Sequence, residues 1–148
     1  MQWAPHVTVA AIAQDSWGRF LLVEEEAEGR RCFNQPAGHW EKGETLSEAV
    51  VRETLEETGF RFLPQYLVGV YHWTHPRRDL VYLRFAFAGD VDCTAPAGRL
   101  DAGIIGPVWM DLTEICSREG EMRSSMVERC IRDFLQGQRF PLDLVRSV

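Results

Sequence analysis

The chain has 148 residues, a hydrophobic content of 45% and a formal net charge of -6, the size and composition of one ordinary globular domain. An acidic chain lacks the broad basic surface that nucleic acid polymers require, which excludes DNA and RNA as partners. A small anionic ligand remains compatible, because a few arginines or a bound cation can offset its charge locally. We therefore expect a single domain over 1–148, as a monomer or a small homo-oligomer.

The cysteines and the first residues indicate the compartment. The chain contains no CxxC pair, which is evidence against a zinc or redox site and predicts reduced thiols at Cys32, Cys93, Cys116 and Cys130. The first six residues lack a basic n-region, and no apolar stretch reaches the length of a membrane span. We expect a cytoplasmic protein without a membrane partner.

Apolar runs in the first two thirds of the chain predict strands. Runs 7–13 and 20–23 are separated by residues typical of turns, so a hairpin is predicted. A short extended piece covers 33–38, where proline and glycine leave the backbone exposed. Two longer runs, 66–73 and 80–88, are predicted to pair across a polar stretch.

The last third of the chain alternates between strand and helix patterns. A loop rich in glycine, alanine and proline covers 93–103, followed by a predicted strand over 104–110 and a short helix over 112–116. Over 124–135 the apolar residues recur at intervals of three and four, which indicates an amphipathic helix that Gly137 ends. No repeat or long linker divides the chain. The pattern predicts α and β elements around one core.

Three carboxylates share one narrow arc of a further predicted helix, which has about three turns and ends at Gly59. They belong to Glu53, Glu56 and Glu57. Ionised carboxylates so close repel one another, and burial increases the cost unless cations offset it. The arc therefore indicates a metal site, since Mg²⁺ prefers oxygen ligands and often joins carboxylates to substrate phosphates. Arg52 lies beside the arc, where its planar fork can hold a carboxylate in position.

The helix considered alone has a second interpretation. Most helix glutamates are solvated, and Arg52 and Glu56 could form an ordinary exposed ion pair. Thr45 or Ser47 is predicted to cap the start of the helix. Glu44 precedes it and can reach back towards the same ions.

The residues around the helix decide between these interpretations. Gly38, five residues, Glu44, seven residues and then the run 52–60 match the signature of the Nudix hydrolase family at every defined position but one. Thr54 stands where an aliphatic residue is usual. A long pattern with fixed glycine, arginine and glutamate positions is far more specific than a short glycine motif. The chain thus resembles the Nudix hydrolases.

The resemblance implies a fold and a chemistry. The fold is an α+β structure, an α/β/α sandwich with a mixed β-sheet between helices. Water attacks a phosphoanhydride bond of a small diphosphate-containing substrate with the help of divalent ions, Mg²⁺ or Mn²⁺. Carried over by position, Arg52 and Glu44 support catalysis, and the metal ligands are Glu53, Glu56, Glu57 and the Gly38 carbonyl. One glutamate would act as base, and the family differs on which.

Further segments resemble the NudJ phosphatase group of this family, namely 5–10, 34–39, 83–85 and 137–142. That group is associated with orthophosphate release from nucleoside tri- and diphosphates and from the pyrophosphates of thiamine and its hydroxymethylpyrimidine precursor. One alternative is a hydrolase for ADP-ribose, dinucleotides or oxidised nucleotides with the same metal centre. Another is a Nudix-like module that binds nucleotides without cleaving them. Loss of the three glutamates would favour this alternative, and all three are present.

Aromatic and basic residues outside the signature are candidates for substrate binding. An aromatic face stacks on a flat ring without specifying it, and the arginine fork suits a terminal phosphate. The candidates for stacking are Phe33, Trp40 and Trp73; those for phosphate are Arg84 and Arg123, with His39 for phosphate binding or proton donation. The alternative is a core position for each aromatic residue and a solvated position for each arginine.

Overall fold

A computed structural model describes residues 2–94 and 98–148, so residues 95–97 of the predicted 93–103 loop lie outside the described residues. The elements in chain order are β1 (His6–Ile12), β2 (Phe20–Ala27), β3 (Arg30–Asn34), β4 (Ala37–His39), α1 (Leu46–Thr58), β5 (Arg61–Thr74), β6 (Val81–Asp92), β7 (Ile104–Met110), α2 (Leu112–Ser117) and α3 (Met126–Leu135). Short 3₁₀ turns cover Glu119–Glu121 and Leu142–Leu144. Within the described ranges, no helix is long and apolar enough to cross a membrane.

The strands form two sheets. The four-stranded sheet has the order β4-β1-β6-β5 and is mixed, because β1 and β6 run parallel while the other pairs are antiparallel. The three-stranded sheet, β3-β2-β7, is antiparallel throughout. The predicted α+β fold with a mixed sheet and helices is confirmed, with two sheets in place of one. The predicted pairing of 66–73 with 80–88 is the β5–β6 ladder.

The predicted hairpin of 7–13 with 20–23 is wrong in its pairing. A turn does form between the runs, where the Asp15 carboxylate accepts two backbone N–H groups at 3.0 and 2.8 Å. Beyond an isolated bridge between Gln14 and Phe20, however, β1 joins the four-stranded sheet and β2 the three-stranded one. Both runs are almost wholly buried. Without polar alternation, an apolar run does not reveal its pairing partner.

A hairpin that the sequence pattern missed joins β2 to β3. Its turn consists of Glu28 and Gly29, which have φ values of 54° and 79°. Two successive residues with positive φ are typical of the type I′ turn, whose twist matches that of paired strands. The charged residues along these strands conceal them in the sequence, and Arg31 and Glu24 pair as ions across the turn. This hairpin carries Arg30 and Asn34 to the cavity described below.

Alternate residues of β1 and β2 divide between two hydrophobic clusters. Ile12, Phe20 and Leu22 pack into the cluster that includes α3 residues, whereas Ala11 and Leu21 pack into the cluster that includes α1 residues. Side chains of a strand point alternately to its two faces. Both faces of the strands are therefore covered, with α1 on one side and α3 on the other.

Helix α1 begins and ends at residues predicted for it. The Thr45 hydroxyl accepts the N–H of Glu48 at 3.1 Å, and the Glu48 carboxylate accepts the N–H of Thr45 at 3.0 Å, forming a capping box. Gly59 ends the helix with a φ of 76°. Thr54, the departure from the signature, is fully buried and donates its hydroxyl to the Val50 carbonyl at 2.7 Å. Its polar group is thereby satisfied within the core.

Candidate active site

A cavity of about 390 Å³ lies where β4 and α1 meet the β2–β3 and β5–β6 hairpins. This volume falls within the range of sites for small molecules. Acidic residues and a glycine form one part of its lining, here called the acidic wall: Gly38, Glu41, Glu53 and Glu57. Another part, called the aromatic wall, consists of Trp73, His75 and Tyr82. Four arginines, Arg30, Arg78, Arg84 and Arg123, also belong to the lining.

Arg52 gathers three carboxylates beside the acidic wall. It donates to Glu44 at 3.0 and 2.8 Å, to Glu53 at 2.9 Å and to Glu56 at 3.1 Å. It also donates to the His39 carbonyl at 3.0 Å, which ties α1 to the end of β4. The bond between Arg52 and Glu44 raises the pKa of the guanidinium and lowers that of the carboxyl, so both groups stay ionised.

Glu57 lies outside this network. Its Oε1 accepts the backbone N–H of Ala37 at 2.9 Å, whereas none of the ion pairs among the described residues includes it. Burial raises the pKa of Glu57 to about 8. A buried carboxylate without a cation is costly. The position therefore favours a bound proton or a bound cation.

Gly38 permits a close approach between β4 and α1. A Cβ atom at this position would lie 2.1 Å from the Cδ atom of Glu53. Two non-bonded carbon atoms cannot lie so close, so one of them would have to move. The lack of a side chain thus lets the Glu53 carboxylate pack on the backbone of β4. Burial raises the pKa of Glu53, although Arg52 opposes that shift.

The oxygen atoms of the acidic wall fit a hard divalent cation in their chemistry. Glu57 supplies a partly buried carboxylate without a cation among the described residues. Glu53 lies one helical turn away, close enough to raise the pKa of Glu57 further. No three acidic, histidine or cysteine side chains in the described part of the chain converge closely enough to hold an ion as they stand. Two of the candidate ligands, Glu53 and Glu56, are instead bonded to Arg52.

The aromatic wall combines the predicted Trp73 with His75 and with Tyr82, which the sequence pattern missed. The ring centroid of Trp73 lies 5.7 Å from that of Tyr82 and 5.3 Å from that of His75. His6 lies 5.3 Å from Tyr82 and contacts His39, with 3.3 Å between their ring nitrogens. Burial lowers the pKa of His39, which lines the cavity as predicted. Tyr82 could be predicted only from the register of the β5–β6 pair, in which it lies directly opposite Trp73.

Two of the arginines that line the cavity already have carboxylate partners. Arg123, predicted as a phosphate ligand, donates to Glu25 at 2.7 Å. Arg78, which was not predicted, donates to Glu28 at 2.9 Å. These pairs leave less positive charge for a ligand than a count of arginines suggests.

Arg84, the other predicted phosphate ligand, is buried with 4% of its surface exposed and lines the cavity. Its guanidinium donates to Gln35 Oε1 at 2.8 Å and to Asn34 Oδ1 at 3.1 Å. Both partners are neutral amides. The alternative prediction, a solvated position on the surface, is therefore wrong for Arg84.

Two of the predicted stacking residues are not among those that line the cavity. Phe33 is buried in the hydrophobic core; its neighbours Cys32 and Asn34 line the cavity, and alternation along β3 directs the Phe33 ring to the other face. Trp40 is half exposed and donates its ring N–H to the Glu44 carbonyl at 2.7 Å. Its geometry suits a support for the loop before α1 and not a platform for the ligand.

Comparison with known proteins identifies the family. A NUDIX domain model matches residues 4–130. Phosphatase NudJ of Escherichia coli K12 is 40% identical over 141 residues, which cover 95% of this chain and 90% of that protein. A NUDIX hydrolase structure from Nitrosomonas europaea has a TM-score of 0.94 and 43% identity, with 98% of each chain covered.

A structure with much lower sequence identity has the same fold. The NUDIX domain of Shewanella oneidensis NrtR complexed with ADP ribose has a TM-score of 0.72, with 90% of each chain covered, but only 15% identity. It shares the fold alone. The near relatives and the match over most of the chain confirm the predicted resemblance, including that to the NudJ group. The chain belongs to the Nudix hydrolase family and is an enzyme that cleaves pyrophosphate bonds in small phosphorylated molecules.

Proposed function

We propose that this chain, as one domain, releases orthophosphate in a metal-dependent reaction with Mg²⁺ or Mn²⁺. The proposed substrates are nucleoside tri- and diphosphates, thiamine pyrophosphate and hydroxymethylpyrimidine pyrophosphate. One observation carries the metal dependence: the partly buried Glu57 carboxylate has no cationic partner among the described residues and lies a helical turn from Glu53, which packs on Gly38. The phosphatase named among the relatives supports orthophosphate as the product.

The acidic wall and its neighbours take distinct roles in this proposal. The metal ligands are Glu53, Glu56, Glu57 and the Gly38 carbonyl. A divalent cation held there would polarise the phosphoryl oxygens and lower the pKa of water. Arg52 orients its bonded carboxylates, and Glu44 completes that network. Water attacks one phosphorus of the phosphoanhydride, and a carboxylate of the cluster takes the proton. The bond from that phosphorus to the bridging oxygen breaks, so the bridging oxygen leaves with the other phosphate.

The remaining lining residues bind the substrate in this proposal. Trp73 and Tyr82 offer adjacent rings on which a pyrimidine, thiazole or purine ring can stack. Arg84, Arg123 and His39 line the same cavity and can donate to phosphate oxygens. Phe33 and Trp40 have no place in this set, because they do not line the cavity.

The main test replaces Glu57 with glutamine, which keeps the side-chain shape and an acceptor for the Ala37 N–H. Orthophosphate release from ADP and thiamine pyrophosphate in Mg²⁺ should fall by at least about a hundredfold. The melting temperature of the metal-free protein should not fall, because glutamine is neutral like the protonated carboxyl and keeps the acceptor for the Ala37 N–H. Glu119→Gln, at an exposed position, is the matched control and should behave as wild type. Near-normal turnover by folded Glu57→Gln would reject the assignment.

Substitution of Gly38 tests the approach of β4 to α1. In Gly38→Ala the new methyl group must displace the Glu53 carboxyl, which is the flexible end of a side chain. We therefore expect a folded protein with turnover reduced at least tenfold or so. Gly120→Ala is the control, since a methyl group there meets nothing within 4 Å. Full activity in Gly38→Ala would show that the position of Glu53 is not needed.

The raised pKa of Glu57 predicts a pH dependence. In the metal-free protein this carboxyl is protonated below about pH 8 and ionised above it. Cation binding requires the ionised form, so Mg²⁺ affinity should increase as pH rises and level off above about 8. Initial rates at subsaturating Mg²⁺ should rise with the same midpoint, and more Mg²⁺ should move that midpoint to lower pH. A midpoint that is insensitive to Mg²⁺ would contradict this linkage.

The two exposed or partly exposed tryptophans near the site should behave differently. Trp73→Leu should raise KM for ADP and thiamine pyrophosphate roughly tenfold through lost stacking, with little change for inorganic pyrophosphate. Trp40→Leu removes the hydrogen bond to the Glu44 carbonyl, so it should affect all three substrates equally. Steady-state kinetics on the three substrates measure this. Equal losses in Trp73→Leu would assign that ring to the structure and not to stacking.

A further inference from the structure

Arg84 is a buried cation with unused hydrogen-bond donors. A guanidinium has five N–H donors, and two protein acceptors, Gln35 and Asn34, receive bonds from it. Its Nε atom is buried without a partner among the described residues. Gln35 is fixed in turn, because its amide N–H group donates to the Val127 carbonyl at 2.8 Å. The guanidinium is therefore held rigidly with donors to spare.

The charge of Arg84 is also unbalanced in the part of the chain that the structure describes. No ion pair there includes it. On the neighbouring strand, Tyr71 donates to Asp133 at 2.8 Å, and Asp133 pairs with Arg129 at 3.1 Å. Burial raises the pKa of the nearby Cys130 thiol, which therefore stays neutral. A buried guanidinium without an anion is costly, so the cavity is built to receive one.

One short segment links this cation to the acidic wall. Arg84 is bonded to the side chains of Asn34 and Gln35, while the backbone N–H of Ala37 donates to Glu57. Gln35 and Ala37 lie on either side of a bend at Pro36, so their Cα atoms are at most about 7 Å apart. An anion at Arg84 would thus lie within a diphosphate's reach of the carboxylates proposed to bind metal.

We propose that Arg84 forms a subsite for the terminal phosphate and selects substrates that end in a free phosphate. The inference rests on the proposed function of this cavity and adds the substrate class that the cavity prefers. The fork of a guanidinium matches phosphate oxygens. Of the other arginines that line the cavity, Arg78 and Arg123 already have carboxylate partners, and Arg30 is exposed and donates to the Gly120 carbonyl. A buried subsite admits a group with nothing attached beyond it. Diphosphates esterified at both ends, such as ADP-ribose, should fit poorly.

The first experiment uses wild-type protein and inorganic phosphate in Mg²⁺. Phosphate should shift the assigned guanidinium N–H signals of Arg84 in ¹H–¹⁵N spectra, saturably and at millimolar concentration. Signals that do not move at saturating phosphate overturn the subsite. This readout requires no turnover, so it stands or falls independently of the Glu57→Gln test. Phosphate held by the metal alone would leave the Arg84 signals unchanged.

Two variants then separate charge from structure. Asn34→Asp is nearly isosteric and places a carboxylate at the Arg84 fork, so it should keep the fold and weaken phosphate binding roughly tenfold or more. Arg84→Met should lower phosphate affinity similarly. Arg132→Met, which removes a surface arginine of α3, is the control. Wild-type phosphate affinity in folded Asn34→Asp overturns the proposal, even if Arg84→Met fails to fold.

A substrate pair tests the selection itself. The ratio of kcat/KM for ADP to that for ADP-ribose should favour ADP in the wild type and decrease roughly tenfold in Asn34→Asp. A purely structural role for Arg84 predicts equal losses on both substrates and an unchanged ratio. An unchanged ratio would therefore overturn the proposed selection while leaving metal-dependent hydrolysis intact.

Discussion

Repulsion among carboxylates on one side of α1 is the constraint on which the site depends. Two like charges about 4 Å apart repel by about 4 kcal/mol at an effective dielectric constant of about 20. Arg52 offsets part of this cost by bonding Glu44, Glu53 and Glu56, but one guanidinium cannot neutralise three carboxylates. Glu57 has no such partner in the part of the chain that the structure describes, and burial raises its pKa to about 8. The acidic wall is therefore incomplete without added positive charge.

The cavity carries the opposite imbalance at Arg84. There a buried guanidinium meets neutral amides, so this position is incomplete without added negative charge. A divalent cation bound to a diphosphate supplies both requirements in one ligand, the cation towards Glu57 and the terminal phosphate towards Arg84. The segment 34–37 holds the two charged groups at separate positions, because its residues are hydrogen-bonded to both of them. Electrostatic complementarity of this kind favours the complete metal–substrate complex over either component.

Local signals made α1 predictable, whereas the cavity depends on pairing between distant strands. The cap at Thr45, the end at Gly59 and the spacing of the glutamates all lie within one short stretch, so sequence alone located them. Tyr82 reaches the site through the register of β5 and β6, which no local pattern reveals. The prediction that Phe33 stacks on the substrate is based on residue type alone. It fails because alternation along β3 turns the Phe33 ring into the core. The error of pairing β1 with β2 has the same origin, since buried apolar runs do not specify their partners.

The residues proposed for catalysis and those proposed for substrate recognition come largely from different parts of the chain. The groups proposed for metal-assisted hydrolysis come from 38–57, one continuous stretch that folds as β4 and α1. Most of the groups proposed for recognition lie outside that stretch, since Trp73, Tyr82 and Arg84 come from β5 and β6. Arg123 lies before α3, whereas His39, in β4, belongs to the first stretch. A substitution in the second set can change which phosphate-bearing molecule fits without moving the first. The Shewanella oneidensis domain has the same fold with only 15% identity, so the framework itself forms from largely different residues.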